Sequence, residues 1–178
     1  VRLATSFYEL RAAQRLRYRV FYEEMDAVPD KRTRAKRRDA DKFDQVCDHL
    51  LVVDTAIEGT IEDQIVGTYR LLRQSVADAN MGFYTQGEFD VNTLISRQEG
   101  RNFLELGRSC VLEPYRNKRT VELLWHGIWS YVLHHKIDVL FGCASLAGTD
   151  PRKLAGPLSL LHSASAPPDE WAVKAAGS

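Results

Sequence analysis

In the stretch FLELGRSCVLEPYRNKR, residues 103–119, a glutamate and an arginine interrupt otherwise apolar strand sequence. Alternation places Phe103, Glu105, Gly107, Ser109 and Val111 on one face and Leu104, Leu106, Arg108 and Cys110 on the other. The carboxylate and the guanidinium are therefore expected on opposite faces. A carboxylate buried in a strand is costly unless hydrogen bonds hold it or its pKa rises, and a raised pKa suits a general base near neutral pH. Glu105 reads either as such a base or as half of an internal ion pair with Arg70 or Arg108. The second half of the stretch is a basic turn ahead of a helical pattern. Arg116, Lys118 and Arg119 stand where a helix N-terminus favours an anion, or they form an ordinary charged surface turn. The turn has no glycine, which excludes a P-loop or dinucleotide fingerprint.

A second chemical cluster is DADKFDQVCD, with Asp39, Asp41, Asp44 and Asp48. Asp41 and Asp44 are three apart and share a face of any turn or short helix. Two carboxylates facing one way suit an ammonium ion better than a metal, because hard-ion loops intersperse glycine and more oxygen ligands. A solvated acidic turn is the plain alternative. Just before it, KRTRAKRR packs six basic residues into eight. Nucleic acid, anionic lipid and an acidic protein are all partners for such a run. With no aromatic interleaved, base stacking is poorly supported, and a mobile solvated loop is the alternative. The histidines form no H-x-x-x-H or H-E-x-x-H spacing. No G-x-S-x-G element occurs, and neither Cys110 nor Cys143 has an identifiable base.

The elements that must position these residues follow from periodicity. A short strand opens the chain, and Thr5 or Ser6 caps a helix running to about Met25. In that helix Leu10, Ala13, Leu16, Val20 and Phe21 keep an apolar period, while Arg11, Arg15 and Arg19 make a basic ridge. Residues 26–48 show only charge. Strands are expected at 49–54 and 65–73, joined as a hairpin through a turn at Gly59, and again at 102–112. A short helix is expected near 92–98. The strongest helix is 120–135, with Val121, Leu124, Trp125, Ile128, Trp129, Val132 and Leu133 as one wide stripe. IDVLFGCAS reads as a continuous strand, so strand, helix and strand form a parallel crossover. A helical piece is expected near 158–162. The 178 residues, with formal net charge zero and 44% hydrophobic content, suit one soluble α/β domain. Three scattered cysteines argue against a disulfide scaffold or zinc ribbon and for a reducing cytoplasm. No apolar run approaches a membrane span.

The segments RYRVFYEEM, DADKFDQVCDHLLVVD, IVGTYRLL and FLELGRSCVLEPYR followed by ELLWHGIWSYV resemble, in that order, the ornithine lipid N-acyltransferases. These belong to the hemolysin-like branch of the GNAT superfamily. Acyl-homoserine lactone synthases share a thinner version: R-x-x-F, E-x-D-x-F-D, V-G-x-x-R-L-L and E-x-S-R-F. The resemblance implies a GNAT fold, with a mixed, mostly antiparallel central sheet flanked by helices. It implies transfer of a fatty acyl group, a 3-hydroxyacyl group in the lipid-forming members, from acyl carrier protein to the α-amine of an amino acid. Ornithine is the expected acceptor, and a lyso-ornithine lipid or N-acyl amino acid the product. No metal, acyl-enzyme or bound cofactor is implied. The donor arrives on phosphopantetheine of the carrier protein, or as acyl-CoA.

By the same resemblance Glu105 takes the amine proton, and Asp41 and Asp44 shape the amine side with Asp39. Arg19 and Arg70 match the family's arginines and brace those carboxylates. Phe21, Phe43 and Arg108 complete the substrate-binding set. Backbone N–H groups at Cys110, Val111 and Leu112 meet the thioester oxyanion, where one donor is worth about 3 kcal/mol. Arg116, Lys118 and Arg119 hold the phosphate and dock the acidic carrier protein, with Arg11, Arg15 and the basic run beside them. The turn RNKRT lacks the glycine-rich phosphate loop of acetyl-CoA-dependent members. The strand reads G-R-S rather than S-R-F, which favours the ornithine side over a signal synthase using S-adenosylmethionine. A non-catalytic module that grips anionic lipid or nucleic acid is the reading from another class. Residues 1–178 are expected to form a single GNAT-like domain, shortened at its C-terminus relative to the family. It would be cytoplasmic, with peripheral contact at the inner membrane and no nucleic acid partner.

Overall fold

A computed structural model of the protein describes residues 1–146 and 148–177. In chain order its elements are β1 (Arg2–Leu3), α1 (Phe7–Tyr18), α2 (Lys31–Lys36), β2 (Asp48–Val53), α3 (Ile61–Gln64) and β3 (Ile65–Arg73). They continue with α4 (Gln74–Asp78), α5 (Val91–Arg97), β4 (Phe103–Val111), α6 (Lys118–His135), β5 (Val139–Phe141) and α7 (Pro151–Ser165). Among the described residues the strands form one sheet in the order β1-β2-β3-β4-β5. The first three pairings are antiparallel and β4–β5 is parallel. The expected hairpin, crossover and mixed α/β sheet are all present.

α1 starts where Ser6 accepts a hydrogen bond from Glu9 N at 3.2 Å, while the Glu9 carboxylate reaches back to Thr5 N at 2.7 Å. This reciprocal contact satisfies Glu9 N, which a helix start leaves orphaned, and Thr5 N just ahead of the cap. Glu9 also pairs with Arg2, tying β1 to the helix, and that hydrogen-bonded contact holds the Glu9 carboxyl down at about 2. Ala12, Ala13, Leu16 and Val20 are buried against Leu51, Ile65 and Cys110, and the two alanines let the helix lie close to the sheet. The helix does not run regularly to Met25. It widens into a π-helical turn over Arg19–Glu24.

α6 covers the opposite face. Asn117 caps it through Thr120 N at 3.1 Å, and Lys136, left-handed at φ 51°, ends it. Leu124, Ile128, Tyr131 and Val132 are buried with Leu50, Val52, Val66, Leu71 and Leu104. Each such side chain contributes roughly 1.5–3 kcal/mol on burial. The seven-residue stripe is wider than what is covered: Val121, Trp125, Trp129 and Leu133 are exposed. α7 is longer than expected and buries none of its residues. The expected strand through IDVLFGCAS shrinks to three residues.

A third cluster, Phe43, Leu72, Ala77, Phe83, Val91, Leu94 and Phe103, pins the segment around Tyr84 over the start of β4. The Phe83 ring meets Phe141 edge-on at 4.9 Å. Residues 169–176 clamp this segment from outside, where Asp90 N donates to Lys174 O and Ala176 N to Glu88 O, each at 2.8 Å.

Candidate active site

β4 and β5 are paired only where Phe103–Glu105 faces Val139–Phe141. Gly142 then brings its backbone against Leu106, so closely that a Cβ there would stand 2.2 Å from Leu106 O. Beyond that contact no strand among the described residues pairs with the outer edge of β4. Along its inner edge β4 carries a bulge: Arg70 faces Gly107 and Thr68 faces Cys110, so two residues oppose Tyr69 alone. Arg108, in the bulge, is left-handed at φ 50°. The extra residue reverses the alternation expected from the sequence. Cys110 now shares the face of Glu105, and Arg108 turns toward Glu105 rather than away from it.

Glu105 and Arg108 line a cavity of about 100 Å³ with Tyr84, Thr85, Glu88 and Cys143. Glu105 is buried and accepts from Thr85 N at 2.7 Å, Thr85 Oγ1 at 2.5 Å and Tyr84 N at 3.0 Å. Its burial is thus compensated by a turn of backbone, not by Arg70 or Arg108, the two partners the sequence offered.

Those arginines serve the aspartates instead. Asp41 caps a 3₁₀ turn through Phe43 N at 2.9 Å, and the Asp44 carboxylate reaches back to Asp41 N at 3.3 Å. DADKFD therefore folds as a capping box. Both carboxylates converge on one cation, as their spacing predicts, but that cation is Arg70 Nη1, 2.7 Å from Asp41 and 3.1 Å from Asp44. Asp44 is further bound by Arg17 Nη2 at 2.7 Å and Gln14 Nε2 at 2.9 Å. His49 Nε2 lies 3.0 Å from its backbone oxygen. Burial alone would raise the Asp44 carboxyl, but Arg17 and then Arg70 outweigh it and hold it at about 2. Asp39 is buried between Arg17 Nε at 2.9 Å and Arg108 Nε at 3.2 Å. Three aspartates and three arginines thus neutralise one another beneath the cavity.

The arginine that braces these carboxylates is Arg17, not Arg19. The Arg17 side chain is 1% exposed, whereas that of Arg19 is 58% exposed and pairs with Glu24 at 3.5 Å. A signal was present: position 17, four after Ala13 and three before Val20, falls on the apolar face of α1. Phe21 packs against the α1 core, away from the cavity lining. Phe43 supports Arg70, whose guanidinium lies 5.6 Å from its ring.

Two further expectations are corrected. Leu112 N donates to Val66 O at 2.9 Å, so it is committed to β3, and register puts Cys110 N on the same side. Only Val111 N, between them, faces the open edge. In the basic turn, Arg116 is held by Glu24 and by Val111 O, and Lys118 pairs with Glu122 at 3.5 Å. Arg119 is exposed. The turn is thus no preformed three-cation phosphate site. Tyr84, Thr85, Glu88 and Cys143 had no local pattern to reveal them, since tertiary packing alone brings them to β4.

An open-edged, bulged β4 parting from β5 beside a buried carboxylate defines the class. Residues 16–126 match the acetyltransferase (GNAT) domain family, and the chain belongs to it. It is 56% identical over 174 residues to L-ornithine N(alpha)-acyltransferase of Rhizobium meliloti (strain 1021), covering 98% of this chain and 59% of that protein. To the protein of the same name from Brucella abortus (strain 2308) it is 51% identical over 175 residues, 98% of this chain and 62% of that one. The chain therefore spans about three-fifths of the length of these curated relatives. Among solved structures, FeeM, an N-acyl amino acid synthase from uncultured soil microbes, superposes with a TM-score of 0.58 at 17% identity. That match covers 90% of this chain and 75% of FeeM, and supports the fold.

Proposed function

We propose that this chain carries the catalytic centre of an N-acyltransferase that moves a fatty acyl group from a thioester to the α-amine of ornithine. The observation that carries the reading is Glu105, fixed by the Tyr84–Thr85 turn at the point where β4 loses its partner strand. The names of the relatives at 51–56% identity supply the acceptor. The donor is the phosphopantetheine thioester of acyl carrier protein, or acyl-CoA, lying along the open edge of β4.

In this mechanism the α-ammonium gives up a proton to Glu105, directly or through water. Its lone pair then attacks the thioester carbon. Val111 N–H, the donor facing the open edge, stabilises the oxyanion of the tetrahedral intermediate. That attack forms the C–N bond; collapse restores the carbonyl and breaks the C–S bond, and the departing thiolate takes up the second proton that the nitrogen sheds in becoming an amide. Direct transfer is favoured over an acyl-enzyme because the cysteines are poor nucleophiles. Burial pushes the Cys110 thiol up to about 12, and Cys143, which lines the cavity, is also raised by burial. Arg70, Asp41, Asp44 and Asp39 hold Arg108 and the floor of the site rather than contacting the reacting atoms.

The test is mass spectrometry of products formed from acyl carrier protein thioesters and ornithine, beside Glu105→Gln. The expected loss in kcat for the variant is about 10²–10⁴-fold, the range of a positioned general base. Unchanged turnover in a folded Glu105→Gln protein would reject this assignment, and no acylated amine from the wild type would reject the reaction.

A further inference from the structure

The cavity offers an incoming acceptor more than a base. Arg108 is the least committed arginine of the cluster. Its contacts to Asp39 and Asp41, at 3.2 and 3.5 Å, are longer than those of Arg70 to Asp41 and Arg17 to Asp44, and its side chain is 28% exposed where theirs are 5% and 1%. Its guanidinium stacks 5.3 Å from the Tyr84 ring, which orients the fork without consuming its donors. Two carboxylates, Glu105 and Glu88, line the same cavity. Neither takes part in the ion pairs found among the described residues. The two are separated by a short relay of side chains. Thr85 Oγ1 bonds Glu105 on one side and lies 3.5 Å from Cys143 Sγ on the other, and the Cys143 thiol is in contact with Glu88.

From this juxtaposition we infer that Glu88 is a specificity-determining residue, receiving the distal ammonium of a diamino monocarboxylic acid whose carboxylate is held by Arg108. The inference rests on the proposed N-acyltransferase reading and assigns the acceptor's three charges. The α-ammonium meets Glu105, the α-carboxylate meets Arg108, and the side-chain ammonium meets Glu88. One available guanidinium and two unpaired carboxylates mirror the one anion and two cations of such a molecule. An acidic amino acid would be repelled by Glu88. A neutral one would leave Glu88 without a counter-charge, and discrimination arises from that unmatched group. Glu88 lies on the exposed mouth of the cavity, so its substitution does not disturb the core. Its backbone is anchored independently through Ala176 N.

The test compares ornithine with 2-aminopentanoic acid, the same chain without the distal amine. Binding is measured by calorimetry and acyl transfer by mass spectrometry, on wild type, Glu88→Gln and Glu88→Asp. Wild type should bind ornithine about tenfold more tightly than 2-aminopentanoic acid, the scale of one hydrogen bond to a charged group. Glu88→Gln should abolish that preference by raising the ornithine KM, leave kcat near the wild-type value and leave 2-aminopentanoic acid unaffected. Glu88→Asp should keep part of it. An unchanged ornithine preference in Glu88→Gln, with wild type active, overturns the role of Glu88 alone. Equal binding of the two amino acids by the wild type overturns it as well. Failure of the wild type to acylate either amine overturns the reading of the function on which it rests.

Discussion

Asp44→Asn is the sharpest probe of how the site is built. The Asp44 side chain is 2% exposed, with Arg17 Nη2 at 2.7 Å and Arg70 Nη1 at 3.1 Å, so one carboxylate serves two buried guanidinium groups. Removing one partner of a buried pair typically costs about 3–5 kcal/mol, because the remaining charge is left uncompensated. Here each arginine keeps a second aspartate, Asp39 for Arg17 and Asp41 for Arg70, which places the loss near the lower end, about 3 kcal/mol. A second route agrees. The carboxyl is depressed from the usual 3.8 to about 2, which by linkage is about 2 kcal/mol of stability. The sign follows from the depression: this contribution is complete above about pH 4 and is lost as pH falls through about 2. Urea unfolding at pH 7 and at pH 3, for wild type and variant, measures both. At pH 7 the variant should lose about 3 kcal/mol, a large fraction of the 5–15 kcal/mol typical of a domain. The gap between the two proteins should shrink at the lower pH. A loss below about 1 kcal/mol at pH 7 would refute the view that this charge network is structural.

Other consequences are as direct. Arg17→Ala should cost about 3–5 kcal/mol in urea unfolding, whereas Arg19→Ala, at an exposed site, should stay within about 0.5 kcal/mol. Equal effects would return Arg19 to the site. Gly142→Ala would set a Cβ 2.2 Å from Leu106 O, so β5 must shift; a loss of about 1–3 kcal/mol in thermal melts should accompany reduced turnover. Cys47 and Cys110, whose thiols burial holds at about 12, carry about one thiolate in ten thousand at pH 8. Iodoacetamide should leave both unmodified in the native protein when followed by peptide mass spectrometry, with complete labelling only in denaturant.

The regular elements were legible because their signals are local. β3 occupies the stretch read from its apolar run, and α6 begins only two residues before its predicted start. Glu105 was legible for the same reason, as a charge within strand sequence. Three things were not. The bulge at Arg108 left one mark, Gly107 inside a strand pattern, which simple alternation passes over, yet it decides which face Arg108 and Cys110 occupy. Arg17 was hidden by the basic ridge of Arg11, Arg15 and Arg19, although it interrupts the apolar face of its helix as Glu105 interrupts its strand. The contributions of Tyr84, Thr85 and Glu88 depend on Phe83 packing against Phe141, a contact between segments far apart in the chain.

The left-handed backbone at Arg108 sets stability and performance against each other at a single position. A side chain in that conformation costs about 1 kcal/mol that glycine would not incur. In return Arg108 pairs with Asp39, which is buried, and with Asp41, and each of these keeps a second arginine, Arg17 or Arg70, so losing Arg108 costs less than losing Arg17 or Arg70. Replacing it by glycine should therefore lower a melting temperature less than Arg17→Ala does, while it strips the cavity of the guanidinium proposed to meet a carboxylate. A library of variants sorted for heat resistance should tolerate glycine at position 108 better than at position 17, and the same library sorted on product should hold arginine at 108. The divergence between the two populations would measure, without a ligand in hand, how much of this residue is kept for chemistry alone.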